Sequence, residues 1–361
     1  MKKKLRVAIL FGGKSAEHEI SLISARNIVE AMDKKKYEII AIGIDKQGRW
    51  YLDAGARLLR GKERSKVEFS DAKNAAAVLP GDTPTPMVRR GGAGFGAVDV
   101  VFPILHGPFG EDGTVQGLLK LANVPFVGAS VLGSAVGMDK DVMKRLLRDA
   151  KIPTPNFLAF ARSDKISFAK VRNILGMPLF VKPANLGSSV GISKVTKPAQ
   201  FSAAVKEAFR YDNKIIIEEF IRGREIECSV LGNEKPIASL PGEIIVQHDF
   251  YSYDAKYIDE KGARLEIPAR LPTATVKKIQ QLALQSYRTL CCEGMARVDF
   301  FVRSNGQVLV NEINTIPGFT KISMYPKMWE ASGISYAKLI DRLIELALAR
   351  FRQEKRLRTS K

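Results

Sequence analysis

Short apolar segments that end in glycine-rich turns alternate with helical segments along the first third of the chain. Residues 5–11 form one apolar run that stops at Gly12-Gly13, and residues 98–105 form another. Between these runs, residues 21–32 have helical spacing and residues 37–44 have strand spacing. An order of this kind is typical of a parallel sheet with helices on its faces. The sequence therefore predicts an N-terminal α/β domain.

The pattern changes after this region and indicates two further domains of α+β character. A break lies near Gly128, and Pro153-Thr154-Pro155 follows a charged helix predicted at residues 138–150. We expect three domains, at residues 1–128, 129–221 and 222–361. The expected strands are 179–182, 192–195, 214–220 and 225–231, the expected helices are 273–290 and 335–350, and residues 80–96 are expected to be loop.

The net charge is unusual for a folded soluble protein. The 361 residues include 57 Lys and Arg against 38 Asp and Glu, which gives a net charge of +19. A surplus of this size is typical of proteins that bind nucleic acid. About half of it lies in the two termini, where a solvated tail is the usual interpretation. The interleaved aromatic and basic residues of RNA-binding surfaces are missing, so we expect no nucleic-acid partner.

The spacing of the cysteines and the length of the N-terminal apolar run indicate the cellular compartment. Cys228 is isolated and Cys291-Cys292 are adjacent, a spacing that fits neither a disulfide framework nor a zinc site. The apolar run at residues 7–11 is shorter than a signal-peptide core or a membrane helix needs. We therefore expect a cytoplasmic protein without a membrane partner.

The turn Asn305-Gly306, flanked by apolar runs, predicts a β-hairpin. Pairing Ser304 with Gln307 sets the register of the two strands and separates their side chains onto two faces. One face is expected to be apolar and to pack in the core. Its members are Val298, Phe300, Val302, Leu309 and Ile313.

The other face of this hairpin carries charge. In the same register Asp299 faces Glu312, and Arg297 faces Asn314. Two opposed carboxylates repel one another unless a cation lies between them. Carboxylate and amide oxygens are the ligands that Mg²⁺ prefers, and incomplete protein ligation leaves room for phosphate oxygens. The alternative is that Arg297 alone neutralises the pair.

A second set of residues suits phosphate. Lys182 ends a predicted strand, and residues 183–191 form a loop with two glycines and two serines. Glycines allow close backbone approach, hydroxyls donate hydrogen bonds, and the lysine supplies a point charge. Many Gly-Ser loops are only turns, and Lys140 on its helix would by default be solvated.

With both sets in place, the chain resembles the ATP-grasp ligases, and among them the D-alanine–D-alanine ligase family. Position 18 is His where many members have Arg, between the matching Glu17 and Glu19. The matching blocks occur in family order at residues 12–21, 106–117, 138–140, 182–191, 253–257, 297–300 and 311–318.

The resemblance implies an ATP-grasp fold preceded by the α/β domain, and a reaction in which ATP drives the joining of two D-alanines for peptidoglycan synthesis. It also implies two Mg²⁺ ions, with Mn²⁺ as a possible substitute, and a homodimer. Residues 247–262 would be a lid. A different second substrate, in another ATP-grasp carboxylate–amine ligase, is the nearest alternative.

The resemblance also assigns roles to individual residues. Asp299, Glu312 and Asn314 would hold the metal ions. The expected ATP ligands are Lys140, Lys182, Ser189, Glu218, Glu225 and Lys256. The expected catalytic group is Glu17, Ser188, Tyr257, Arg297 and Gly318, with His106 and Ser323 binding the substrates.

Tyr257 generates a prediction about specificity. Related ligases that form an ester with D-lactate have Phe at the corresponding position, and Tyr accompanies dipeptide formation. We expect the purified protein, incubated with ATP, D-alanine and D-lactate at neutral pH, to yield mainly the dipeptide. Product analysis by mass spectrometry checks this, and a predominant depsipeptide would contradict it.

Overall fold

The computed structural model describes residues 3–52, 75–78, 81, 87–89, 96–246 and 263–358, and its strands form three sheets. The first sheet has the order β5-β4-β3-β2-β1-β6. Strand β1 pairs in parallel with β2 and with β6, whereas β3, β4 and β5 extend the sheet in antiparallel pairs. Its strands are β1 (Leu5–Gly12), β2 (Tyr37–Ile44), β3 (Trp50–Tyr51), β4 (Ala75–Val78), β5 (Met87–Arg89) and β6 (Val100–Ile104).

The parallel core of this sheet confirms the predicted α/β domain. Residues of β1 alternate between two buried clusters, since Val7 and Ile9 pack on one side and Ala8 and Leu10 on the other. A strand that is buried on both faces needs a continuous apolar run, which is what residues 7–11 supply. The prediction of loop at residues 80–96 was wrong at Met87–Arg89, because pairing with β4 makes a strand of a segment with weak local pattern.

The second and third sheets are antiparallel. The second has the order β7-β10-β8-β9, and the main path of the third is β14-β13-β11-β15-β16, with β12 beside β11. The second sheet has the strands β7 (Phe157–Ala161), β8 (Leu179–Pro183), β9 (Ser193–Val195) and β10 (Lys214–Glu219). The third has β11 (Arg224–Gly232), β12 (Ile237–Ala238), β13 (Gly242–Val246), β14 (Ala263–Glu266), β15 (Gly294–Val302) and β16 (Val308–Asn314).

The helices cover the faces of these sheets. Each sheet lies within one of the three expected domains, whose bounds stay a prediction. Among the described residues, no helix is both long and apolar enough to span a membrane. The helices are α1 (His18–Ala31), α2 (Thr114–Leu121), α3 (Val131–Met138), α4 (Lys140–Asp149), α5 (Phe168–Leu175), α6 (Phe201–Ala208), α7 (Thr273–Thr289), α8 (Met324–Ala331) and α9 (Tyr336–Glu354).

The predicted hairpin is present as β15 and β16, but its turn differs. Arg303 N–H donates to the carbonyl of Gln307, and Gly306 N–H donates to the carbonyl of Arg303. The loop therefore has three residues rather than two, and Gly306 takes the left-handed position with φ 80°. Pairing of Ser304 with Gln307 was thus wrong by one residue.

A β-bulge then corrects the register before the charged residues are reached. The register shifts between Asp299 and Phe300, where Asn311 is the additional residue of β16. Asp299 consequently faces Glu312, and Arg297 faces Asn314, as predicted. The bulge instead changes which residues of β16 lie on the apolar face. Leu309 pairs with Phe301 on the charged face, contrary to prediction, and Val308 and Val310 take its place in the core.

Helix α9 joins the first sheet to the third in one core. Its buried side chains pack with β1 and β6 and with Met295 of β15. Leu343 lies at the centre of this contact and has 0% exposure. Burial on a helix between two sheets means that truncation there leaves a cavity that neither sheet can readily fill.

We expect Leu343→Ala to lower the free energy of unfolding by about 2–5 kcal/mol, because it removes apolar contacts and leaves a cavity. Leu357→Ala is the matched control, since Leu357 is 69% exposed. The control should change stability by less than about 0.5 kcal/mol. Urea unfolding followed by circular dichroism measures both, and equal effects would show that α9 does not stabilise the molecule in this way.

Candidate active site

A cleft forms where the loops after β6 and β8 meet the charged end of the β15–β16 hairpin. Its lining includes Glu111, Lys140, Gly187, Glu312 and Asn314. All three sheets therefore contribute to one concave surface, and the predicted residues Lys140, Glu312 and Asn314 line it. Ligand sites commonly lie in clefts of this kind between domains.

Three carboxylates form a row across the third sheet. Glu227 of β11 pairs with Asp299 of β15, which in turn pairs with Glu312 of β16. Sequence reasoning missed Glu227, because its place beside Asp299 depends on a strand pairing across about seventy residues. Its alternation with the buried Ile226 and Cys228 was the available signal.

Arg297 neutralises part of this row. Its Nε donates to Asp299 Oδ1 and its Nη2 to Asp299 Oδ2, both at 2.7 Å. Glu227 Oε2 lies 2.9 Å from the same Nε. Burial by itself would lower the pKa of Arg297, but the charges of Asp299 and Glu227 outweigh it and raise that pKa well above its usual value. The arginine is therefore permanently charged.

The predicted metal ligands are together at this point. Asn314 Nδ2 donates to Asp299 Oδ2 at 3.0 Å, and Glu312 lies opposite Asp299. Two carboxylates and an amide oxygen on adjacent strands suit Mg²⁺ with the remaining positions left to phosphate and water. Within the described ranges no group of three His, Cys, Asp or Glu side chains is arranged to hold a metal ion alone.

Two predicted lysines are buried at the cleft. Lys140 begins α4, and its Nζ donates to the carbonyl of Leu186 at 2.7 Å and lies 3.5 Å from Glu312 Oε2. It is 7% exposed, so the default interpretation as a solvated lysine was wrong. Lys182 Nζ donates to Glu218 Oε2 at 2.5 Å. Both lysines are thus held by partners on neighbouring elements.

Sequence reasoning missed a third buried lysine. Lys144 lies 3.1 Å from Glu218 Oε1 and is one turn after Lys140 on the same helix. That spacing places the two lysines on one face of α4, a signal that was available in the sequence.

The glycine-serine loop reaches across to the first domain. Ser188 and Ser189 both have left-handed backbone, with φ of 53° and 59°, a conformation that is uncommon for non-glycine residues. Ser188 Oγ donates to Glu17 Oε1. The predicted contact between Ser188 and Glu17 is confirmed. Lys256 and Tyr257 lie outside the described residues.

Both ring nitrogens of His106 have polar neighbours. Its Nδ1 is 2.9 Å from the carbonyl of Ile316, and its Nε2 is 3.5 Å from Ser24 Oγ. Burial lowers the pKa of His106, with the charge of Glu17 acting in the opposite direction. The imidazole is therefore neutral at neutral pH and suited to hydrogen bonding near a substrate.

Glu111 is a further residue that sequence reasoning missed. Its carboxyl accepts from Gly107 N–H at 2.9 Å and from Ile316 N–H at 2.8 Å, so it joins the loop after β6 to the segment after β16. Burial, followed by the charge of Glu17, raises the pKa of Glu111 to about 8. Its place in the glycine-rich block at residues 106–113 was the only local signal.

The segment after β16 holds the last predicted residues. Ser323 Oγ accepts from Thr320 N–H at 2.9 Å and lies 2.8 Å from Thr320 Oγ1. A Cβ on Gly318 would lie 2.8 Å from Ser323 Oγ, so a larger residue there would require the Ser323 side chain to move. Glu225 of β11 is partly buried and pairs with Phe301. The structure thus groups Gly318 with Ser323, and Glu225 lies on the same strand as Glu227.

Two family models match the chain. The description "D-ala D-ala ligase N-terminus" matches residues 6–129, and "D-ala D-ala ligase C-terminus" matches residues 146–345. The D-alanine–D-alanine ligase of Shouchella clausii is 54% identical over 361 residues, covering 99% of this chain and 98% of that protein.

Solved structures are similar over nearly the whole chain. The D-alanine–D-alanine ligase of Coxiella burnetii has a TM-score of 0.84 at 44% identity and covers 98% of this chain and 96% of its own. The VanG D-Ala:D-Ser ligase of Enterococcus faecalis has a TM-score of 0.85 at 38% identity, with 96% and 100% covered. The D-alanine–D-alanine ligase of Bacillus anthracis complexed with ATP has a TM-score of 0.73 at 28% identity, with 97% and 99% covered.

The fold, the lysine-lined cleft and the carboxylate row define an ATP-grasp ligase, as the sequence predicted. The chain belongs to the D-alanine–D-alanine ligase family. It is an enzyme of that ligase class, which uses ATP as co-substrate and serves cell-wall synthesis by joining two D-alanines.

The raised pKa of Glu111 generates a stability prediction. Because the folded-state pKa of about 8 is above the ordinary glutamate pKa of 4.5, the folded state holds a proton that the unfolded state releases. This contribution is full below about pH 4.5 and is lost as the pH rises towards 8. We expect wild-type stability to fall between pH 5 and 8 by about 1–3 kcal/mol more than that of Glu111→Gln. Urea unfolding at several pH values measures both slopes, and parallel slopes would contradict the prediction.

Proposed function

We propose that the chain converts ATP and two D-alanines to D-alanyl-D-alanine, ADP and phosphate through an acyl phosphate. The single observation that carries the proposal is the cleft at which Lys140, Glu312 and the Ser188–Glu17 contact meet. It brings residues suited to phosphate and residues suited to an amino acid within one site. The reaction needs no enzyme nucleophile, so positioning and charge stabilisation can supply the catalysis.

Glu17 binds the ammonium group of the first D-alanine in this proposal. Ser188 donates to Glu17 and holds its carboxylate in place, and Tyr257 of the lid completes that link. His106 lies behind Glu17 as a neutral imidazole, so it does not repel the ammonium. The first substrate is thereby oriented with its carboxylate towards the phosphate side of the cleft.

The nucleotide lies along the lysines. Lys140, Lys182 and the lid residue Lys256 contact phosphate oxygens, and Ser189 donates to them from its left-handed backbone position. Glu218 accepts from the adenine amino group and Glu225 from the ribose hydroxyls. These assignments use the donors and acceptors that each group of ATP requires.

Asp299, Glu312 and Asn314 would hold two Mg²⁺ ions, or Mn²⁺ in their place. Bound by these residues, such ions would neutralise charge that develops on the transferred phosphoryl group. Arg297 contacts Asp299 through two hydrogen bonds, so this guanidinium already balances part of the negative charge of the row.

The reaction proceeds in two displacement steps. The carboxylate oxygen of the first D-alanine attacks the γ-phosphorus, and the bond from that phosphorus to the ADP oxygen breaks. The neutral amine of the second D-alanine then attacks the acyl carbon. The tetrahedral intermediate expels phosphate, and the amine loses a proton. Arg297 and the N–H of Gly318 stabilise the oxyanion, and Ser323 holds the second carboxylate.

The remaining assignments extend the same proposal. We infer a cytoplasmic homodimer without a nucleic-acid or membrane partner, with domains at residues 1–128, 129–221 and 222–361. A second candidate differs only in the second substrate. The VanG D-Ala:D-Ser ligase, at 38% identity, is of that kind, whereas the Shouchella clausii relative at 54% identity is a D-alanine–D-alanine ligase, which favours D-alanine as the second substrate.

D-alanine-dependent ADP release tests the proposal. We expect activity in wild type with Mg²⁺ and a loss of about 10²–10³-fold in Glu312→Ala, because charge on the phosphates is no longer neutralised. Glu330→Ala is the control, since Glu330 is exposed on α8. A coupled assay of ADP release measures wild type and both variants with D-alanine, D-serine and D-lactate. An inactive wild type, or an unimpaired Glu312→Ala, would overturn the proposal.

A further inference from the structure

Three charged side chains meet beneath the nucleotide side of the cleft, and one of them has no role in the proposed reaction. The carboxylate of Glu218 contacts Lys182 through Oε2 at 2.5 Å and Lys144 through Oε1 at 3.1 Å. The side chains of Glu218 and Lys144 are 2% and 1% exposed, and that of Lys182 is 11% exposed. Lys144 is thus the most deeply enclosed of the three side chains.

The three charges are unequal, with two cations on one carboxylate. Burial alone would raise the pKa of Glu218, but the charge of Lys144, followed by that of Lys182, keeps it below its usual value. Burial lowers the pKa of Lys144 against the opposing effect of Glu218. The group therefore has more positive charge than one salt bridge requires, which suits the approach of an anion.

Lys182 has two competing partners once ATP is present. The proposed function gives it a phosphate oxygen, whereas the structure gives it Glu218. A buried carboxylate that loses its only cation is strongly destabilised. Lys182 can leave Glu218 without this cost only if a second cation stays behind, and Lys144 is that cation. Its helix α4 also carries Lys140, so the two lysines are set by one rigid element.

We propose that Lys144 is a positioning residue that keeps Glu218 charged and fixed while Lys182 turns to a nucleotide phosphate. The inference rests on the proposed function, because it assumes that Lys182 and Glu218 serve the nucleotide. In this arrangement Lys144 is a fixed buried cation and Lys182 a movable one, and both contact the carboxylate of Glu218. The ligand class is a nucleoside di- or triphosphate, and the amino-acid side of the cleft is not involved.

A double-mutant cycle measured by ADP binding tests this coupling. Isothermal titration with ADP and MgCl₂ compares wild type, Lys144→Met, Glu218→Gln and the double variant Lys144→Met/Glu218→Gln. We expect Lys144→Met to weaken ADP binding at least about tenfold in wild type, because Lys182 must then stay with Glu218. In the Glu218→Gln background the same change should cost less than about threefold, since a neutral amide needs no cation.

Matched controls separate charge at this position from charge elsewhere. Lys170→Met removes one positive charge from an exposed position of α5 and should leave ADP binding unchanged. If Lys144→Met does not fold, adding Glu218→Gln should restore folding and bring ADP binding to within about threefold of that of Glu218→Gln alone, and failure of either overturns the inference. Equal losses in both backgrounds also overturn it. A wild type that does not bind ADP would instead contradict the proposed function.

Discussion

Buried like charges on neighbouring strands must be compensated, and this constraint organises the whole cleft. Glu227, Asp299 and Glu312 lie side by side across three strands, where carboxylates alone would repel one another. Arg297 and Lys140 supply compensating charge from within the molecule. Cations from β15 and α4 thus balance part of the negative charge of the row, while the apolar residues Met143 and Leu147 of α4 pack in the core of the third sheet.

The hairpin shows how far local sequence rules extend. Alternation and the turn residues placed Asp299 opposite Glu312 correctly, although the predicted turn was one residue too short. The bulge at Asn311 compensated for that difference before the charged pairs. Turn length and bulge position depend on how the hairpin twists against its neighbours, so local pattern could not supply them. The error remained visible at Leu309, which lies on the charged face.

Most of the site residues were predictable because they lie in short local blocks with recognisable chemistry. Glu227, Lys144 and Glu111 were not predicted, and the reason is the same for each. Their partners are distant in sequence, and an isolated Glu on a strand or Lys on a helix is usually solvated. The same limit applied to Met87–Arg89, whose strand depends on its pairing with β4. Tertiary contacts, rather than local propensity, decide these cases.

Contacts between elements of different sheets connect the two halves of the proposed site. Ser188, on the loop after β8, donates to Glu17, on the loop before α1, and Glu111 receives Ile316 N–H from the segment after β16. The loop after β8, which contacts phosphate in the proposed function, therefore shares a hydrogen bond with Glu17, which binds the ammonium group in that proposal. A change in the backbone of that loop on phosphate binding would move Glu17. In the proposed function, nucleotide and first-substrate binding are thus coupled through the hydroxyl of Ser188, whose backbone is left-handed.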